Sequence, residues 1–116
     1  MTMTVKGFHI LADLHGCQSE FLENSSSLKK ILLSAAKKAE FIVVGKSFHQ
    51  FEPKGATGIL LLSTSHISAH TWPELGFVAL DIYSCSGKEK AMKALEECIA
   101  SFKPSKKIVK QVNRYR

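Results

Sequence analysis

Apolar residues recur along this chain with two periods, and the switches between them mark its elements. Residues 4–15 have a β-branched start and an apolar centre, which predicts a first strand broken by Gly16, Cys17 and Gln18. Over residues 25–39 the period becomes helical: Leu28, Ile31, Leu32, Ala35 and Ala39 share one face, and Lys29, Lys30, Lys37 and Lys38 lie largely off it. Ser25, Ser26 and Ser27 offer an N-cap, and Phe21 and Leu22 extend the pattern back towards Ser19. Residues 40–52 predict a second strand, ended by Pro53 and Gly55. Residues 57–64 carry the run Ile59, Leu60, Leu61, Leu62 and predict a third strand, buried on both faces. Residues 76–84 alternate, with Val78, Leu80 and Ile82 facing one way and Phe77, Ala79, Asp81 and Tyr83 the other. Asp81 on that side needs a hydrogen-bonding partner. Residues 88–102 predict a second helix with Met92, Leu95, Ile99 and Phe102 inward, stopped before Pro104. The Lys-rich tail, 105–116, predicts a protected edge strand.

The order β-α-β-β-β-α-β defines an α+β fold. Each helix has one apolar stripe, so both cover the same face of one antiparallel sheet in a two-layer sandwich. The other sheet face needs a cover. A second copy of the chain supplies it most economically, giving a homodimer packed sheet to sheet in four layers, αββα.

With 116 residues the chain predicts one domain, 1–116. Hydrophobic residues make up 45%, which excludes a disordered chain. The net charge of +6 comes mainly from Lys at helix-surface positions, without an aromatic-interleaved basic motif, so no nucleic-acid partner is expected. No apolar run approaches the ~20 residues that span a bilayer, so no membrane partner is expected. The start of the sequence does not read as a signal peptide, and a cytoplasmic protein is expected. The three cysteines, Cys17, Cys85 and Cys98, form no CxxC pair and argue against a disulfide framework. Cys17 and Cys98 fit small buried hydrophobes.

The chemistry concentrates between the third strand and the strand at 76–84. Two strands are ordinarily joined by a short turn. Here the join holds Thr64, Ser65, His66, Ser68, His70, Thr71, Trp72, Pro73 and Glu74, with Cys85 one strand further on. There is no GxSxG elbow and no Gly-rich phosphate loop. His66 and His70 have the spacing of a helical zinc pair, but their surroundings are not helical, so no metal is expected. A nucleophile, a base and a second proton carrier are all present. The residues alone leave two readings open: an active centre, or a polar loop with core histidines. Trp72 and Pro73 fit a packed turn, His49 lies near Phe51, and His9 and His15 carry no assigned role.

The run Ser65-His66-Ile67-Ser68-Ala69-His70-Thr71-Trp72-Pro73-Glu74, followed by Gly76, Ala79-Leu80-Asp81 and Cys85, resembles the prokaryotic pyruvoyl-dependent S-adenosylmethionine decarboxylase proenzymes. Phe48, His49, Phe51, Pro53, Gly55, Thr57 and Gly58 fit the same pattern, and the resemblance spans nearly the whole chain. It implies self-cleavage between Thr64 and Ser65 into a β chain, 1–64, and an α chain, 65–116. Ser65 would attack the Thr64 carbonyl to give an ester. β-Elimination would then free the Thr64 carboxylate and leave dehydroalanine, and hydrolysis with loss of ammonia would give a pyruvoyl cofactor at position 65. By the same resemblance His70 and Thr57 assist processing, and the pyruvoyl ketone condenses with the substrate amine and acts as an electron sink. Cys85 returns a proton, Phe51 stacks on adenine, and Glu74 holds the ribose hydroxyls. The implied activity is decarboxylation of S-adenosylmethionine for spermidine synthesis, at sites lying on a protomer interface.

One residue departs from the family. Glu or Lys usually precedes the processed serine, and here Thr64 crowds the carbonyl with a β-branch. Two alternatives accompany the leading one. The same machinery could decarboxylate arginine or ornithine, with Phe51 and Glu74 favouring the nucleoside substrate instead. A homologue that does not process could serve as a binding or regulatory subunit.

Overall fold

The computed structural model describes residues 6–115. Six strands form one antiparallel sheet in the order β2-β3-β4-β5-β1-β6. They are β1 (Gly7–His15), β2 (Val43–Gln50), β3 (Ala56–Leu62), β4 (Ser65–Trp72), β5 (Phe77–Ser84) and β6 (Lys106–Arg114). The helices α1 (Ser25–Lys38) and α2 (Lys88–Phe102) lie against one face of the sheet. The two-layer α+β expectation matches this arrangement. Residues 4 and 5 of the expected first strand, and residue 116 of the tail, lie outside the described residues.

The main correction concerns the polar join, because it is a strand and not a loop. Along β4, Ser65, Ile67, Ala69 and Thr71 are buried, while His66, Ser68, His70 and Trp72 face away from the helices. Polar residues at alternate positions satisfy the period of a half-buried strand as well as a loop does. The reversal between β3 and β4 needs only residues 63 and 64.

β3 is also corrected. Leu60 and Leu62 are buried under the helices, but Ile59 and Leu61 on the opposite side are about half exposed. A run of apolar residues predicts two covered faces, and within one chain only one is covered. α1 begins at Ser25 with Asn24 as its N-cap, whose side chain accepts the Ser27 N–H at 2.7 Å. The three serines thus form the first turn and do not cap it. Ser19–Phe21 is a separate 3-10 turn, and the strand expected over 40–52 is shorter, because Glu40 turns the chain in the left-handed region.

The core is an apolar seam between the sheet and the helices. Ile10, Leu14, Leu60, Ile67, Val78 and Ile82 project from the sheet and meet Leu28 and Leu32 of α1 and Leu95 and Phe102 of α2, all fully buried or nearly so. Each such side chain contributes about 1.5–3 kcal/mol. Ala35, Ala36, Ala91 and Ala94 are buried too, and their small side chains let helices and sheet approach closely.

Among the described residues, no helix lies on the opposite sheet face. All five histidines of the chain are on it: His9, His15, His49, His66 and His70. So are Leu11, Ile59, Leu61, Trp72 and Ile108, each more than a third exposed. Asp81 is there with His9 as its partner, Nε2 to Oδ1 3.6 Å.

Candidate active site

Ser65 opens β4 and pairs with Ser84, the last residue of β5, so Cys85, the next residue along the chain, lies beside it. The Cys85 backbone N–H donates to Ser65 Oγ at 3.2 Å. The Thr64 hydroxyl sits 3.0 Å from Ser65 Oγ and is hydrogen-bonded to the Ser86 hydroxyl on its other side. The expected nucleophile, scissile carbonyl and proton donor therefore meet at one end of the sheet. Cys85 is exposed, whereas Cys17 and Cys98 are buried. Burial pushes the Cys98 thiol up to about 12 and raises that of Cys17, so neither supplies a thiolate near neutral pH.

Tyr83 completes this corner. Its pKa is raised, chiefly by the neighbouring Cys85 thiol. Its ring stacks on His66 with centroids 5.7 Å apart, meets His9 edge-on at 5.8 Å, and lies under the Arg114 guanidinium. Gly7 makes room for it: a Cβ there would fall 2.1 Å from the Tyr83 oxygen. His9 Nε2 is buried without a hydrogen bond, with the Asp81 carboxylate 3.6 Å away. The sequence reading missed Tyr83 and Ser86. Tyr83 was findable, since residues two apart on a strand share a side and it stands two before Cys85.

The other expected residues are at the far end of β4. His70 Nδ1 is 2.9 Å from Thr57 Oγ1, so these two processing candidates do meet. Neither meets Ser65 within the chain. Five residues of extended strand put His70 roughly 17 Å away, and the odd spacing turns it to the opposite face. The spacing likewise holds His66 and His70 roughly 13 Å apart, too far to share one metal ion.

Beyond His70, Trp72 ends β4, tilted against Phe77 with ring centroids 5.2 Å apart, and Pro73–Leu75 forms a 3-10 turn. Trp72, Phe51 and Glu74 line one open cleft of about 680 Å³ with Lys54 and Thr71. The two residues expected to hold a nucleoside thus share a cavity, a strand's length from Ser65. This end is braced from below. The buried Thr71 hydroxyl donates to Leu22 O at 2.8 Å and accepts the Ala56 N–H at 2.9 Å. The Gln50 amide accepts the Ser25 N–H and donates to Glu23 O and Gly55 O. Gly76 turns the chain with φ +62°, and a Cβ there would press to 3.0 Å on Cys17 O.

The sheet therefore carries two half-sites at opposite ends of β4: a hydroxyl and thiol corner at Ser65, and an aromatic cleft with an imidazole and a carboxylate beyond His70. The fold is a two-layer α+β sandwich with its chemically loaded residues gathered at the two ends of one strand. Residues 8–115 match the family model for S-adenosylmethionine decarboxylase. A proenzyme of that name from Sulfurihydrogenibium sp. (strain YO3AOP1) is 49% identical over 100 residues, 86% of this chain and 75% of the relative. One from Aquifex aeolicus (strain VF5) is 41% identical over 107 residues, covering 92% and 78%. The crystal structure of the adenosylmethionine decarboxylase from Aquifex aeolicus VF5 superposes with a TM-score of 0.95 at 34% identity, covering 98% of this chain and 94% of that one. The chain belongs to the S-adenosylmethionine decarboxylase family.

Among the described residues, no helix is long and apolar enough to cross a membrane.

Proposed function

We propose that this protein cleaves itself between Thr64 and Ser65 and then decarboxylates S-adenosylmethionine, the step that readies an aminopropyl group for spermidine synthesis. The observation that carries the reading is the contact between Ser65 and Cys85 in a chain of this family.

The residues suit a pyruvoyl group at position 65. Serine there has its hydroxyl beside the preceding peptide; elimination of its β-oxygen from the ester would leave dehydroalanine, which water hydrolyses with loss of ammonia to an α-keto acyl group. That ketone supplies an electron sink for the charge left when carbon dioxide departs from the substrate. The chain's own side chains do the rest. The exposed Cys85 thiol, with Tyr83 beside it, delivers a proton to the substrate α-carbon. Glu74 accepts hydrogen bonds from the ribose hydroxyls, and Phe51 gives the adenine a flat apolar face.

These roles need both half-sites together, and a homodimer reconciles them. Two open faces packed about a two-fold axis bring the Ser65 end of one copy onto the Phe51, His70 and Glu74 end of the other. The exposed Leu11, Ile59, Leu61 and Ile108 on that face support the arrangement, because apolar side chains there gain a cover. Each dimer then has two sites, with Ser65 and Cys85 from one copy and the nucleoside cleft and His70 from the other.

The test is release of labelled carbon dioxide from carboxyl-labelled S-adenosylmethionine, with arginine and ornithine in parallel. Release from the nucleoside substrate alone, lost in Ser65→Ala, is the expected result. Release from arginine or ornithine alone would move the assignment to a basic amino acid, and activity surviving Ser65→Ala would refute the pyruvoyl group.

A further inference from the structure

The residue before the processed serine carries a second hydroxyl, and that hydroxyl is engaged. Thr64 Oγ1 lies 3.0 Å from Ser65 Oγ and bonds onward to Ser86 Oγ. Ser65 Oγ also accepts the Cys85 N–H, an amide that can only donate. Ser86 is itself fixed: its N–H donates to Ser84 Oγ at 3.0 Å, and the Ser84 hydroxyl donates to Gly87 O at 3.0 Å. Ser84 is buried and sits opposite Ser65 in the β4–β5 register.

We propose that Thr64 and Ser86 form a hydroxyl relay that orients Ser65 for its attack on the Thr64 carbonyl. With the Cys85 N–H on one lone pair and its proton directed to Thr64 Oγ1, the Ser65 oxygen cannot rotate freely. Its remaining lone pair is left for the carbonyl carbon. The Thr64 hydroxyl in turn donates to Ser86, so the three point one way and polarise each other. In the step served, Ser65 Oγ bonds to the Thr64 carbonyl carbon and the Thr64–Ser65 peptide C–N bond breaks. The Oγ proton ends on the Ser65 nitrogen, and no other reactant is consumed. Thr64 touches a reacting atom, and Ser86 is a positioning residue acting through it. The relay uses none of the histidines, and it gives this chain a polar group at the position where its family usually carries a charge.

The inference rests on the self-processing reading above, and the experiment separates the two. Freshly purified chain is incubated with and without hydroxylamine, which splits an ester at residue 64 but not an amide, and the 1–64 fragment is followed by mass. Thr64→Val keeps the β-branched shape and removes only the hydroxyl. Ester formation should slow roughly ten- to a hundredfold, the scale for a misoriented nucleophile, and hydroxylamine should not restore it. Thr64→Ser should cleave close to the parent rate. Ser86→Ala should slow the same step by less, and Ser86→Thr should restore it. Thermal midpoints near the parent's identify variants that remain folded. Thr64→Val cleaving as fast as the parent, or slowed only after ester formation, overturns the relay and leaves self-processing intact. A parent chain that never cleaves overturns both.

Discussion

Ser65 and His70 stand on opposite faces of the same strand, five positions apart on β4, one buried and the other exposed. The proposed nucleophile and the proposed processing histidine, so placed, cannot meet within one chain, which is why the proposed site draws on two copies. Mixed dimers test this. Ser65→Ala removes one half-site and Glu74→Ala the other, so each variant alone should be inactive. Co-expressed, half the dimers are hybrids with one intact site, and about a quarter of parental decarboxylation should return. No recovery in co-purified hybrids would place the whole site in one chain.

His70 and Thr57 form a hydrogen-bonded pair at 2.9 Å. Loss of a positioned acid–base group costs about 10²-fold or more. His70→Ala should slow fragment appearance by that order, and Thr57→Val, which only frees the imidazole, by less. Equal rates in both variants and the parent would remove the pair from processing.

Thiol reactivity should divide sharply. Cys98 is pushed up to about 12 and Cys17 is raised by burial, while Cys85 is exposed. The reactive form is the thiolate, so at about pH 8 an alkylating reagent should modify Cys85 and spare the other two in the folded protein. Peptide mapping reads the outcome, and decarboxylation should fall in proportion to Cys85 modified.

Gly58 on β3 has Phe48 packed over it: a Cβ there would fall 2.3 Å from the Phe48 ring and 3.1 Å from Leu28. Gly58→Ala should cost about 1–3 kcal/mol through that overlap. Denaturant unfolding measures it.

Both helices, the strands at 76–84 and in the tail, and the side that each alternating residue faces were legible in the sequence, because burial imposes the periods 3.6 and 2. The β4 strand was hidden because its outward residues are the chemically loaded ones, and hydroxyls and imidazoles signal a loop as strongly as an exposed strand face. β3 looked doubly buried because Ile59 and Leu61 are apolar on a face that one chain leaves open. The nearness of Ser65 to Cys85 follows from the β4–β5 register, which no local pattern encodes. The distance between the half-sites became visible only once β4 was known to be extended. The Thr64–Ser86 contact joins residues 22 apart, and the sequence gives no sign of it.

Intact mass under denaturing conditions tests the central claim most directly. Two fragments, 1–64 and 65–116, are predicted, the second lighter by one ammonia than a serine-terminated peptide. A single uncleaved chain after prolonged incubation, or a second fragment that still begins with serine, would contradict the account.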